Sequence, residues 1–170
     1  MKIPVQLEAA TQSPSDVRYN WDTRTDILSA QVAPDALAEL TISSCASVGL
    51  EGRDGSWLIL EVAGGQIAGI EVAVWPKIRR LPEVEAPTNV GDARALVPKL
   101  CARGGTGSVH MGARVRAEAD PSERNFHFRL GSRQANRTVR IARDLLLDVD
   151  EESHITGLWL LNVPPFSVQS

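Results

Sequence analysis

A short β-unit is written twice along this chain, and that repetition limits the architecture more than any single residue does. Segment 21–32 reads WDTRTDILSAQV and segment 119–130 reads ADPSERNFHFRL. Each passes from Asp through a polar turn into a short run suited to a strand. A second echo follows each of them. LILEVAGGQIAGIEVAVWP (58–76) aligns with LLLDVDEESHITGLWLLNVP (145–164) once a single residue is inserted. The pair of echoes predicts a duplicated antiparallel β-module, and it names no reaction.

Residue alternation supports strands throughout. Ile3, Val5, Leu7 and Ala9 alternate with polar or turn-prone residues, as do Val17, Tyr19 and Trp21. A period of two marks a half-buried strand. Polar turn 22–26 joins the second of these to a strand over 27–32. Pro34–Leu40 reads as a short helical turn or, in competition, as a strand through Leu40 and Ile42. Asp54-Gly55 and Gly64-Gly65 are hairpin signals between strands. Val109, Met111, Ala113, Val115, Ala117 and Ala119 give the longest alternation in the chain and predict one continuous strand. No segment holds a sustained apolar spacing of three and four, so little helix is expected. Three segments are predicted: a first β-meander unit over 1–76, a Pro/Gly-rich connector over 77–106 draped on the surface, and a second unit over 107–170. The predicted fold class is mainly β, two pseudo-repeated antiparallel meanders packed as a sandwich or one continuous bent sheet.

Composition excludes several functions. A net charge of -3 argues against nucleic acid as the partner, because phosphate backbones select basic surfaces. Cys45 and Cys101 are far apart and form neither a disulfide framework nor a C-x-x-C pair. A reducing, cytoplasmic setting is therefore expected. The start, MKIPVQLEAATQSPSD, lacks the apolar core of a signal peptide. No apolar run approaches the ~18 residues of a spanning helix, so no membrane association is expected.

The second half, ADPSERNFHFRL followed by RTVRIARDLLLDVDEESHITGLWLLN, resembles the small bacterial β-protein family known as domain of unknown function 2283. Arg137-Thr138-Val139, Asp148 and Ile155-Thr156-Gly157-Leu158 stand where that family's pattern places them. The first half matches more loosely, through Trp21-Asp22, Glu61 and Ile67-Ala68-Gly69-Ile70-Glu71. Ala119 stands where the family carries an aromatic residue, and Trp159 where it carries Glu. The resemblance implies a β-meander fold and no activity, since fold does not carry function.

Candidate chemistry is sparse. Asp148–Glu152 suggests Ca²⁺, but a Ca²⁺ loop needs Gly at its sixth place and Glu at its twelfth; here they are Ser153 and Trp159. His110, His127 and His154 lack metal-ligand spacing, so neither a metal nor a cofactor is expected. Cys101 with His110 lacks an orienting third group. Gly104-Gly105-Thr106-Gly107-Ser108 could cradle an anion, but it lacks the Lys and the following helix of a P-loop. The strongest candidate is the polar face of the second unit. His110, Arg114 and Arg116 alternate outward on one predicted strand, and His127 and Arg129 on its hairpin partner. Cross-strand neighbours lie about 5 Å apart, so these groups would merge into one basic patch. Trp159, if outward, would add an aromatic contact.

These features predict a non-enzymatic module that binds another protein or its own copy through sheet edges. An immunity- or antitoxin-like role is consistent with that class. The alternative is a module for a small molecule or anion, using the 104–108 loop and the arginine face. A hydrolase ranks last, because no acid–base constellation is visible.

Overall fold

The computed structural model describes residues 2–33, 45–98 and 107–166. Pro34–Leu40, Ile42, Cys101 and Gly104–Thr106 lie outside the described residues. Among the described residues fourteen strands form: β1 (Gln6–Ala9), β2 (Val17–Asp22), β3 (Ile27–Val32), β4 (Cys45–Gly52), β5 (Trp57–Ala63), β6 (Gln66–Val74), β7 (Ile78–Arg80), β8 (Gly91–Leu96), β9 (Ser108–Ala113), β10 (Val115–Ala119), β11 (Phe126–Leu130), β12 (Arg137–Ala142), β13 (Leu145–Val149) and β14 (Ile155–Leu160). They join in one curled, mostly antiparallel sheet with almost no helix. The mainly-β class holds, in its bent-sheet form.

Strand order is the same in the two halves. The first runs β2-β3-β6-β5-β4 and the second β10-β11-β14-β13-β12. Each is a hairpin plus a three-stranded meander whose last strand returns beside the hairpin, a Greek-key order. The tight turns follow local chemistry. Gly64 and Gly65 both have positive φ (57° and 77°), as a two-residue hairpin turn requires. Asp150 Oδ1 accepts from the backbone N–H of Glu152 and His154 and fixes the β13–β14 turn, with Ser153 at φ 61°.

The halves interlock. Ile3 O accepts from Ile155 N, and Val5 N donates to Ser153 O, so the segment leading β2 lies on the second half. β9, which leads β10, pairs in parallel with β4 of the first half. Leu28, Leu60 and Ile70 share one apolar cluster with Phe128, Leu147 and Leu158. Tyr19 Oη donates to Leu161 O (2.7 Å) and lies 3.3 Å from Asp144 O, and burial raises its pKa. Tyr19→Phe is expected to cost about 1 kcal/mol, the typical net value of such a bond. A denaturant midpoint unchanged by the substitution would remove this tie from the fold.

Two elements depart from the sequence reading. The alternating run Val109–Ala119 is two strands, broken at Arg114, because β9 pairs with β4 while β10 pairs with β11 and β7. Periodicity continues across the break, since both pieces bury the same parity of residue. The 77–106 connector is not merely draped: it contributes β7 and β8, and β8 bridges the halves by pairing with β1, β6 and β12. Its Val84 is buried against Leu146 and Trp159, packed round by Leu81, Ala86 and Val90.

That cover explains a contrast between equivalent strands. β5 alternates buried and half-buried residues, whereas β13 and β14 are buried at every position. One face of β13 and β14 meets the main core; on the other, Leu146 and Trp159 lie beneath segment 81–90.

Candidate functional site

Register places the second half's outer-face residues in two rows across five strands. One row is Arg116, Arg129, Gly157, Asp148 and Thr138; the other is Glu118, His127, Trp159, Leu146 and Arg140. Successive members are direct cross-strand neighbours. Gly157 is the low point between them. Lacking a side chain, it lets the His127 ring and the Asp148 carboxylate meet above it.

That meeting is a closed buried network. His127 Nε2 lies 2.8 Å from Asp148 Oδ2, and Thr138 Oγ1 donates to Asp148 Oδ1 at 2.6 Å. Trp159 Nε1 donates to the same carboxylate, 3.1 Å from each oxygen. The His127 ring stacks on Trp159 with centroids 3.8 Å apart and planes 8° from parallel. Burial alone would raise the Asp148 carboxyl. The hydrogen bonds from His127, Thr138 and Trp159 outweigh it and hold the group below its ordinary value. An ionised carboxylate only accepts, so the imidazole donates through Nε2. Its other nitrogen, Nδ1, lies 3.9 Å from Glu118 Oε2.

A concavity of about 490 Å³ opens beside this network, lined by Arg116, His127, Arg129, Arg133, Asp148 and Thr156 among others. Arg116 and Arg129 are exposed and directly opposite each other on β10 and β11. Like charges in that position repel. Arg129 Nε has Glu118 Oε2 at 3.7 Å, whereas Arg116 has no ion pair among the described residues. Arg133 is held by Asp150 (2.8 Å) and Glu152 (2.5 Å). Thr156 is buried in the wall, and its hydroxyl has no hydrogen-bond partner. A buried unpaired hydroxyl is costly, and a bound ligand or a small rotation would relieve it.

The expected basic patch is thus partly corrected. Arg116, His127 and Arg129 do come together. His127 is buried at 7% exposure, so it is a structural partner of Asp148 and not a member of an exposed basic face. Arg114, at the strand break, lines a neighbouring cavity. His110 is separated by the same break and stands edge-on to Trp57, ring centroids 5.5 Å apart. Trp159 lies on the outer face but is not exposed there: Val84 of segment 81–90 packs over it. Trp57 opens β5, an interior strand between β4 and β6. Trp75 stacks on Trp21 at 5.6 Å and contacts Phe126, closing one end of the core. Of the glycine loop, Gly107 O accepts from Ser47 N, and Ser108 Oγ lies 3.1 Å from His110 Nε2; both are engaged within the sheet.

Asp150, Glu152 and His154 place one potential metal-ligand atom each within 4.8 Å of one another. The Arg133 guanidinium already lies between the two carboxylates, where a cation would sit. Backbone donors at His154 and Glu152, together with Arg133, overcome burial and bring the Asp150 carboxyl down to about 2. That chemistry builds a turn.

The first half carries a matching row: Arg18, Gln31, Gly69, Glu61 and Ser47 stand in the register of Arg116, Arg129, Gly157, Asp148 and Thr138. Gln31 Nε2 donates to Glu61 Oε2 at 3.3 Å, a weaker version of the His127–Asp148 contact. Arg–polar–Gly–acid–hydroxyl is therefore common to both halves, while the aromatic lid and the buried imidazole belong to the second alone. Sequence reasoning named Thr138, Asp148, Thr156 and Gly157 only as motif positions, and it missed Arg133 altogether. Recurrence of an acid opposite Gly in both echoes was the available signal. No protein-family model and no curated protein matches the chain.

Proposed function

We propose that this protein is a non-enzymatic binding module and that its ligand is a small anion, taken into the cavity against Arg116 and Arg129. The observation that carries this reading is the pair itself. Two exposed arginines stand directly opposite each other on β10 and β11, both line the cavity, and Glu118 Oε2 lies 3.7 Å from Arg129 Nε alone. An anion would turn their repulsion into two charge-assisted, fork-shaped hydrogen bonds. A cavity of this size is within the range of small-ligand sites.

Catalysis has less support. Asp148 accepts from three side chains, and His127 is stacked and committed through Nε2, so neither is poised to move a proton. A partner protein remains part of the proposal only where it presents an acidic group. Among the described residues, the large hydrophobics left exposed are Val74 and Phe166, too few for an apolar docking patch. Among those residues, too, no helix is long and apolar enough to cross a membrane. A cytoplasmic setting is proposed with the rest and stands on the cysteine pattern alone.

Titration calorimetry with inorganic phosphate at low ionic strength tests the reading. Binding is expected, weakening with added salt. Arg116→Ala should lower the affinity about tenfold, the value of one charge-assisted bond. It should leave the melting temperature unchanged or slightly higher, since it relieves a repulsive pair. Equal affinity in wild type and variant, or no binding at all, would overturn the assignment.

A further inference from the structure

The cavity at Arg116 does not end there. A second concavity of about 470 Å³ shares Gly131 and Ser132 with it and is lined by Glu51, Arg53 and Arg114. Arg53 comes from the β4–β5 turn of the first half, so this second cavity lies between the halves. Gly131 stands at the junction with φ 81°, its N–H given to Arg114 O at 2.8 Å. That bond holds the end of β11 against the strand break and leaves both cavities open on either side of it. Arg53 and Arg114 are exposed and make no ion pair among the described residues; Glu51 is the one carboxylate in the second lining.

We infer that the ligand is a linear oligoanion laid across both cavities, with one anionic group at Arg116 and Arg129 and another at Arg114 and Arg53. This deepens the anion-binding reading and rests on it. Arg114 and Arg116 are two residues apart in extended chain, roughly 7 Å along the backbone. Two anionic groups of one short molecule reach both, and the second then binds at high effective concentration. A monovalent anion would leave Arg53 and Arg114 unused. Phosphate and carboxylate groups both fit a guanidinium fork, so tripolyphosphate and citrate are the two probes.

The experiment compares orthophosphate, tripolyphosphate and citrate on the full chain by calorimetry at constant ionic strength. At least one of the two oligoanions should bind ten or more times tighter than orthophosphate, and which one does so identifies the anionic group. The Arg53→Ala/Arg114→Ala variant should lose that gain and keep its orthophosphate affinity. Arg124→Ala, exposed and outside both linings, should change neither. Orthophosphate binding without any gain for the longer anions, or a gain that survives in the double variant, overturns the extended site and leaves the anion cavity standing. Failure of all three anions to bind overturns both.

Discussion

Asp148→Ala is expected to destabilise the protein by about 3–5 kcal/mol, the cost of removing one member of a buried, charged hydrogen-bond group. Its carboxylate receives the imidazole of His127, the hydroxyl of Thr138 and the indole of Trp159. Removing it leaves the buried donors of His127 and Trp159, and the half-buried Thr138 hydroxyl, without their acceptor. Asp148→Asn retains one acceptor oxygen and should lose less. The acid limb carries the same information. A carboxyl held low in the fold contributes stability that is complete above its unfolded value, about 3.9. That contribution is lost as pH falls through the folded value. Asp148 and Asp150 are both held low, the latter at about 2, so wild-type stability should decline from about pH 5 down to pH 2. The Asp148 variant should show a shallower decline over that window. Urea unfolding at several pH values checks both statements. A loss under 1 kcal/mol in Asp148→Ala at neutral pH would mean that the network is not a structural keystone.

Gly157→Ala should cost about 3 kcal/mol, at the upper end of overpacking penalties. A Cβ there would stand 2.7 Å from Asp148 Oδ2, 3.0 Å from Phe128 O and 3.2 Å from His127 Nε2. None of these atoms is the loose end of a flexible side chain: one carboxylate is held by three donors, one oxygen is backbone, one ring is stacked. Gly69→Ala should behave alike, since its Cβ would meet Ala30 O at 2.6 Å and Glu61 Oε2 at 3.2 Å. By contrast, Gly112→Ala meets open space and should be nearly silent. Chemical denaturation of the three variants gives the comparison directly. A Gly157 variant as stable as the Gly112 variant would contradict the close approach drawn here.

The two glycines show how much of this molecule was legible in its sequence. The echoes at 58–76 and 145–164 predict two like modules; strand order is the same in the two halves, and the class borne out is mainly β. Alternation located most strands but not β4, β7 or β8. It could not reveal the break at Arg114, because parity runs unbroken through it. Nor could it reveal cover. His127 alternates with two phenylalanines and reads as outward, and it is outward from the main core. It is buried against the Trp159 ring and the Asp148 carboxylate, and Trp159 is itself covered by Val84 and its neighbours, distant in sequence. A Trp in place of the first half's Glu71 was the local trace of that lid. Arg116 and Arg129 were legible as neighbours, since hairpin register follows from the turn. The concavity beneath them was not, because Arg133 and Thr156 arrive from other strands and turns.

Arginine side-chain NMR tests the central claim most directly. Nε–Hε signals of the protein would be followed as phosphate is added at low ionic strength. Saturable shifts at Arg116 and Arg129, with Arg94 and Arg143 in their surface ion pairs left in place, are the predicted result. Uniform small drifts of all arginines, or shifts that never saturate, would show that the cavity holds no anion of its own.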